Sequence, residues 1–346
     1  MRALAKTART HGAMELVERE RPDPAADEAL VEVEYAGLCG SDAGIYEFES
    51  AFERMDLPTV IGHEYSGRVV EIGDDVTRFD VGDRVVERPI RSCGDCYQCE
   101  IGEGNVCQQA VITGVDHDGA YEPYLAVPER ALHPVPDGVD QRHAATVEPT
   151  SIGARAVIRN SRVTAGDRVL VEGPGPIGLL TAQIARAQGA TVLVSGVGQD
   201  AEYRLPLAED LGFETANVAR DDLAAMRAER TNGVGFDVVF DTTGHPSGLT
   251  TAVEAVRKGG QIVLVGQTGE TTMPYSPLVR AEIDLQCSYA STYEDFDHAL
   301  RLIDRGDVDA GTLLDDRFSL LDADEAFETF LTGGTCKPVF DVSELR

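Results

Sequence analysis

The chain runs to 346 residues, about twice the usual size of a single domain, and 42% of them are hydrophobic, so two folded domains with real cores are expected. Asp and Glu total 60 against 30 Lys and Arg, a formal net charge of -30. No basic stripe is visible to hold a phosphate backbone and no apolar run reaches the ~18 residues of a membrane span, so neither nucleic acid nor membrane is expected as a partner.

The acids are dispersed among normal apolar periodicity, and Lys6, Lys258 and Lys337 are the only lysines. That pattern suits a surface adapted to high salt, as in a halophile, where self-repulsion is screened. The opening Met1-Arg2-Ala3-Leu4-Ala5-Lys6 has no stretch apolar enough for a signal peptide, and four of the seven cysteines cluster within fifteen residues, which reads as metal rather than as a disulfide framework. A cytoplasmic protein is the expectation.

Along the chain, the first 150 residues carry short β-like runs punctuated by Gly and Asp, such as Ala29–Val33, Ser66–Ile72 and Asp83–Val86, an antiparallel texture. From about Gly166 the rhythm changes. Arg168–Glu172 reads as a buried strand, a glycine turn follows, Ile177–Ala187 has helical spacing ended by Gly189, and Thr191–Val194 is the next strand. Further strands are expected at Phe236–Phe240 and Gln261–Val265. This alternation predicts an α/β, doubly wound parallel sheet. Past Tyr289 an amphipathic helix carries Phe296, Ala299, Leu300 and Ile303, and the tail Val339–Val342 has the makings of a strand returning to the first domain.

Three constellations carry chemistry. The turn Gly173-Pro174-Gly175-Pro176-Ile177-Gly178 follows a strand and opens a helix, the context in which such glycines let a backbone approach a pyrophosphate at a helix N-terminus. The next strand ends in Ser195-Gly196 where a carboxylate would hold a ribose 2′-hydroxyl, and Arg204 lies beyond. NAD and NADP both stay open, with a lean to NADP.

The second constellation, Cys93, Cys96, Cys99 and Cys107, has the spacing of a closed, structural four-thiolate zinc site; an iron–sulfur site shares the first spacings but not the last. The third is scattered: Cys39 and Ser41, His63 and Glu64, and Glu148. A thiol, an imidazole and a carboxylate suit a catalytic zinc with one open position. Taken singly, Cys39 also fits a core residue, His63 a satisfied polar group, Ser41 a turn, and Glu64 or Glu148 a surface acid.

Together Gly37-Leu38-Cys39-Gly40-Ser41-Asp42, Gly62-His63-Glu64-Tyr65-Ser66-Gly67, the four-cysteine lobe, Glu148-Pro149 and Val171–Gly178 resemble, in order, the zinc-containing medium-chain dehydrogenase/reductase family, most nearly its sorbitol and threonine dehydrogenase branch. The resemblance implies a GroES-like catalytic domain from residues 1–152 and 290–346 with a Rossmann domain at 153–289 inserted. It implies one catalytic zinc at Cys39, His63 and Glu64, with Glu148 as a direct ligand or the holder of its water, and one structural zinc. Cofactor contacts fall to Gly173, Gly175, Pro176, Ile177, Gly178, Ser195 and Arg204. Zinc would acidify the substrate hydroxyl, Ser41 would pass the alcohol proton outward, and hydride would go to NAD or NADP.

The implied substrate is a secondary alcohol of a polyol or sugar, with glucose/aldose or threonine dehydrogenation as alternatives, and a homodimer or homotetramer is implied. A non-catalytic dinucleotide-binding protein keeping only the structural zinc is the rival from another class. Two departures stand out. Ala43-Gly44 occupy the place where many relatives have a relay histidine, and Ala290-Ser291 the place of a polyol-gripping Arg-Tyr pair.

Overall fold

The computed structural model describes residues 1–346 except Thr268 and Pro274. The chain divides into two compact units, one made of Met1–Glu148, Ser291–Asp304 and Leu314–Arg346, the other of Pro149–Ala290 and Arg305–Leu313.

The first unit is built on a β-sheet whose strands run in the order Leu132–Pro134, Arg84–Glu87, Glu64–Ile72, Glu28–Gly37, Lys337–Asp341 and Leu314–Asp315, with Tyr124–Pro128 also pairing Glu28–Gly37. Pairing is antiparallel except for the two-residue strand Leu314–Asp315. The C-terminal strand returns to this sheet, as its apolar run predicts, with Phe340 opposite Ala36. Inward-facing Val31, Val33, Val69, Val85, Val127, Phe327 and Phe340 form one buried core, the favourable term that offsets ordering of this loop-rich chain.

The second unit holds a six-stranded parallel sheet in the order Glu214–Asn217, Thr191–Gly196, Arg168–Glu172, Phe236–Asp241, Val256–Leu264 and Asp284–Cys287. Numbered along the chain this is 3-2-1-4-5-6, the dinucleotide-binding order, with its reversal between the first and fourth strands. Leu170, Leu193, Val239 and Ile262 are buried in one core, as expected for strands covered on both faces. The fifth strand begins at Val256, five residues before the expected Gln261, through an irregularity in its pairing with Phe236 and Val238. The strands Glu214–Asn217 and Asp284–Cys287 escape sequence reading because both are short, polar edge strands.

Glu172 closes the first strand opposite Asp241 of the fourth. Its carboxyl is buried, Oε2 has no hydrogen-bond partner, and burial together with the Asp241 charge pushes it up to about 9. The folded chain therefore holds a proton that the unfolded chain releases near 4.5, so this residue's contribution to stability is complete below 4.5 and is lost as pH climbs toward about 9. Glu172→Gln is expected to be more stable than the parent at pH 8, by about 1–3 kcal/mol, with the gap closing toward pH 4. Thermal melting at the two pH values checks this; an equal gap at both would remove Glu172 as its source.

Candidate metal and dinucleotide sites

Cys39, His63 and Glu64 are drawn together by strand register. Gly37 ends one strand and pairs with Glu64, the first residue of its antiparallel neighbour. Cys39 follows two residues after Gly37 as the extended N-cap of the helix Gly40–Glu47, and His63 immediately precedes Glu64. One ligand atom from each of the three lies within 4.8 Å of the others. Gly37 is required by closeness, since a Cβ there would sit 2.7 Å from Glu64 Oε2.

Two residues complete this group. Asp42 is fully buried: its Oδ2 accepts the Cys39 N–H at 3.0 Å, and its Oδ1 lies 3.4 Å from His63 Nδ1. The other imidazole nitrogen, Nε2, lies 3.3 Å from Ser41 Oγ. Lys337, at the start of the C-terminal strand, is buried; its Nζ donates to Leu38 O at 2.9 Å and to Glu64 Oε2.

Burial and the Glu64 charge push the Cys39 thiol up. Burial opposes a charge on His63, yet Asp42 and the Cys39 sulfur outweigh it and raise the imidazole well above its usual range. Glu64 Oε1, His63 Nδ1 and Asp42 Oδ1 have no hydrogen-bond partner although they are buried. A thiol, an imidazole and a carboxylate with an unsatisfied oxygen form a donor set that fits zinc; when bound, its charge would reverse the local preference and favour the thiolate.

Glu148 stands outside that set of three. It lies in the helix Val147–Ala154 and is half-buried. Burial raises its carboxyl to about 7, with His63 pulling down and Glu64 pushing up, so it feels the metal group electrostatically.

The four-cysteine lobe closes as its spacing predicts. Sulfur separations of 3.5 Å for Cys96–Cys99, 3.7 Å for Cys96–Cys107, 3.4 Å for Cys107–Cys93 and 3.9 Å for Cys93–Cys99 bracket the ~3.8 Å that a tetrahedral ion with ~2.3 Å zinc–sulfur bonds imposes. All seven cysteines are free thiols. Backbone hydrogen bonds from Cys99 and Gln108 bring the Cys96 thiol down to about 6, whereas a side-chain hydrogen bond with Asp95 pushes the Cys93 thiol up to about 12.

In the second unit, Gly173 adopts φ +98° just past its strand, and Gly175 caps the helix Pro176–Ala187, with Pro176 at its first position. A Cβ on Gly178 would fall 1.8 Å from Gly173 O, whereas one on Gly175 would meet nothing within 4 Å. The third glycine thus serves helix–strand packing, and the second leaves room above the helix N-terminus for a phosphate. Ser195 is buried in the strand Thr191–Gly196. Arg204 pairs with Asp200 at 3.7 Å and its side chain is only 11% exposed. Asp200 turns its carboxylate inward to accept the Val197 N–H at 2.9 Å, away from the role of a ribose acceptor.

Sequence reading missed Asp42 and Lys337 as functional residues. Asp42 lies within a quoted motif three residues from Cys39, the spacing of a side chain that caps a helix N-terminus. For Lys337 the one available signal was its rarity, a lysine retained in a chain with three.

Comparison with known proteins agrees with this geometry. Residues 25–137 match the family model described as the alcohol dehydrogenase GroES-like domain, and residues 176–305 match zinc-binding dehydrogenase. A sorbitol dehydrogenase of Halalkalibacterium halodurans is 34% identical over 341 residues, covering 97% of this chain and 98% of the relative. A 2-dehydro-3-deoxy-L-galactonate 5-dehydrogenase of Pseudoalteromonas atlantica is 37% identical over 314 residues, 90% of each chain. Among solved structures, a zinc-binding dehydrogenase of Sinorhizobium meliloti bound to NADP superposes with a TM-score of 0.90 at 27% identity, covering 98% of both chains.

A GroES-like unit with a three-ligand metal group, joined in one chain to a Rossmann unit, defines a zinc-dependent NAD(P) alcohol dehydrogenase. The chain belongs to the zinc-containing medium-chain dehydrogenase/reductase family. Among the described residues, no helix is long and apolar enough to cross a membrane.

Proposed function

We propose that this enzyme oxidises a secondary alcohol of a polyol or sugar to the ketone, passing hydride to NAD(P) and releasing one proton. The observation that carries the reading is the convergence of the Cys39, His63 and Glu64 ligand atoms within 4.8 Å. Similarity to a sorbitol dehydrogenase and to a dehydrogenase of a sugar acid supports the substrate class.

In this reading the catalytic domain is drawn from residues 1–152 with 290–346, and residues 153–289 form the dinucleotide domain; the compact units differ from these bounds in assigning Pro149–Ala290 and Arg305–Leu313 to the second unit. Cys39, His63 and Glu64 hold the catalytic zinc, and Cys93, Cys96, Cys99 and Cys107 a structural one. Zinc, when bound, supplies Lewis acidity that favours loss of the substrate hydroxyl proton near neutral pH. Asp42 keeps the proton on His63 Nδ1, which leaves Nε2 as the ligand atom. Ser41, beside that nitrogen, receives the substrate proton and passes it outward; with Ala43-Gly44 following, water takes it from there. Glu148 is the nearby carboxylate that ligates the metal or holds its water.

Gly173, Gly175, Pro176, Ile177 and Gly178 cradle the pyrophosphate, and Ser195 with Arg204 borders the adenosine ribose. NADP is favoured, since Gly196 carries no carboxylate to repel a 2′-phosphate and Asp200 is engaged internally. A cytoplasmic homodimer or homotetramer with no nucleic-acid partner is part of the same proposal.

The test is metal analysis together with a panel assay. Two zinc ions per chain are expected, with turnover on polyols or sugars in multimolar salt, faster with NADP than with NAD. One zinc per chain and no turnover on polyols, sugars, threonine or simple alcohols would favour the dinucleotide-binding rival.

A further inference from the structure

We propose that Tyr121 is a positioning residue for the catalytic metal group, its hydroxyl clamping Asp42 while its ring seats the backbone that leads into His63. The inference rests on the zinc reading of Cys39, His63 and Glu64.

Tyr121 is fully buried and reaches both stretches that carry the ligands. Its hydroxyl lies 3.1 Å from Gly37 O and 3.2 Å from Asp42 Oδ2. Its ring lies against Gly62, where a Cβ would come within 2.4 Å of Cδ1 and 2.5 Å of Cε1. Gly62 also has φ +93°, so position 62 requires glycine on both counts. The Tyr121 backbone is tied down as well: its N–H donates to Ile61 O at 3.0 Å, its carbonyl accepts from Leu4 at 2.9 Å, and the ring meets Phe340 edge-on at 5.6 Å. A side chain held at both ends in this way acts as a fixed donor.

The consequence runs through Asp42. One carboxylate oxygen faces His63 Nδ1, and the other accepts from the Cys39 N–H and shares the single Tyr121 hydroxyl proton with Gly37 O. The Cys39 N–H, together with the Tyr121 hydroxyl proton shared with Gly37 O, opposes rotation of the carboxylate and so keeps Oδ1 facing the imidazole. Partners that orient a metal-ligating histidine typically change metal retention by ~10–100-fold when removed. Loss of the hydroxyl alone falls at the lower end, since the Cys39 N–H remains.

Tyr121→Phe keeps the ring against Gly62 and removes only the hydroxyl. The measurement is zinc release to an excess of chelator, followed separately for the two sites, with the four-thiolate lobe as control within the same molecule. Release from the Cys39 site is expected to accelerate about tenfold, with release from the lobe unchanged. Asp42→Asn should accelerate it at least as much, and the double variant should release no faster than Asp42→Asn alone. Tyr121→Phe releasing at the parental rate, both sites accelerating alike, or additive effects in the double variant would each overturn the proposal. A parent chain that holds a single zinc would instead overturn the site reading beneath it.

Discussion

Cys39→Ser is expected to abolish alcohol oxidation while NAD(P)H still binds. The Cys39 sulfur is one of three ligand atoms grouped within 4.8 Å, and the hydroxyl that replaces it does not ionise near neutral pH and is a poor partner for a borderline-soft ion. Loss of the only thiolate in the set weakens the hold on zinc. The glycine turn proposed to hold the cofactor, Gly173 through Gly178, belongs to the other compact unit and is untouched by the change. Initial rates in zinc-supplemented buffer, paired with a fluorescence titration of NADPH, separate the two effects. Full activity would take Cys39 out of the metal group; loss of both activity and cofactor binding would point to misfolding.

Lys337→Met is expected to have the second large effect, on stability. The Glu64 carboxylate and the Lys337 ammonium are both buried, and their charges are mutually supporting: burial would lower the lysine, but Glu64 and the Cys39 sulfur hold it above its ordinary value. Methionine keeps most of the volume and removes the cation. Breaking a buried pair from one side costs about 3–5 kcal/mol, which for a unit of this size is a fall in Tm of roughly 10 °C. The Leu38 carbonyl, next to Cys39, loses its donor as well. Zinc restores part of the loss, because it supplies a positive charge to the same carboxylate. Differential scanning calorimetry with and without zinc reads this directly; an unchanged Tm in the metal-free protein would show that Glu64 does not depend on Lys337.

Features whose parts lie close together along the chain were legible without coordinates. The four cysteines span fifteen positions, and tetrahedral chemistry leaves few other uses for that spacing. The glycine turn sits between an apolar strand and a helix, as read, and its glycines differ in what they do: a positive φ at Gly173, open space at Gly175 and close backbone approach at Gly178. Strands with a buried apolar centre were placed within a residue or two, as at Arg168–Glu172 and Thr191–Gly196. The polar edge strands were not, since their pairing depends on a neighbour rather than on their own side chains.

The catalytic group shows the boundary between the two kinds of knowledge. Residue chemistry and motif resemblance named Cys39, His63 and Glu64 as metal ligands, because few other residue types offer zinc a thiolate, an imidazole and a carboxylate. Their meeting depends on a register, Gly37 opposite Glu64, that backbone hydrogen bonds set across the sheet. A second pairing, Val339 opposite Gly37, brings in Lys337, whose ammonium reaches a carbonyl 299 positions away in the chain, and Glu148, on a helix, stays outside the tight set. Tyr121 joins Asp42 across 79 positions by a single hydroxyl. Composition and local spacing thus specify which atoms are able to bind an ion. Which buried charges face one another is fixed when distant strands pair, because a carboxylate or an ammonium leaves water only where the folded chain supplies it a partner.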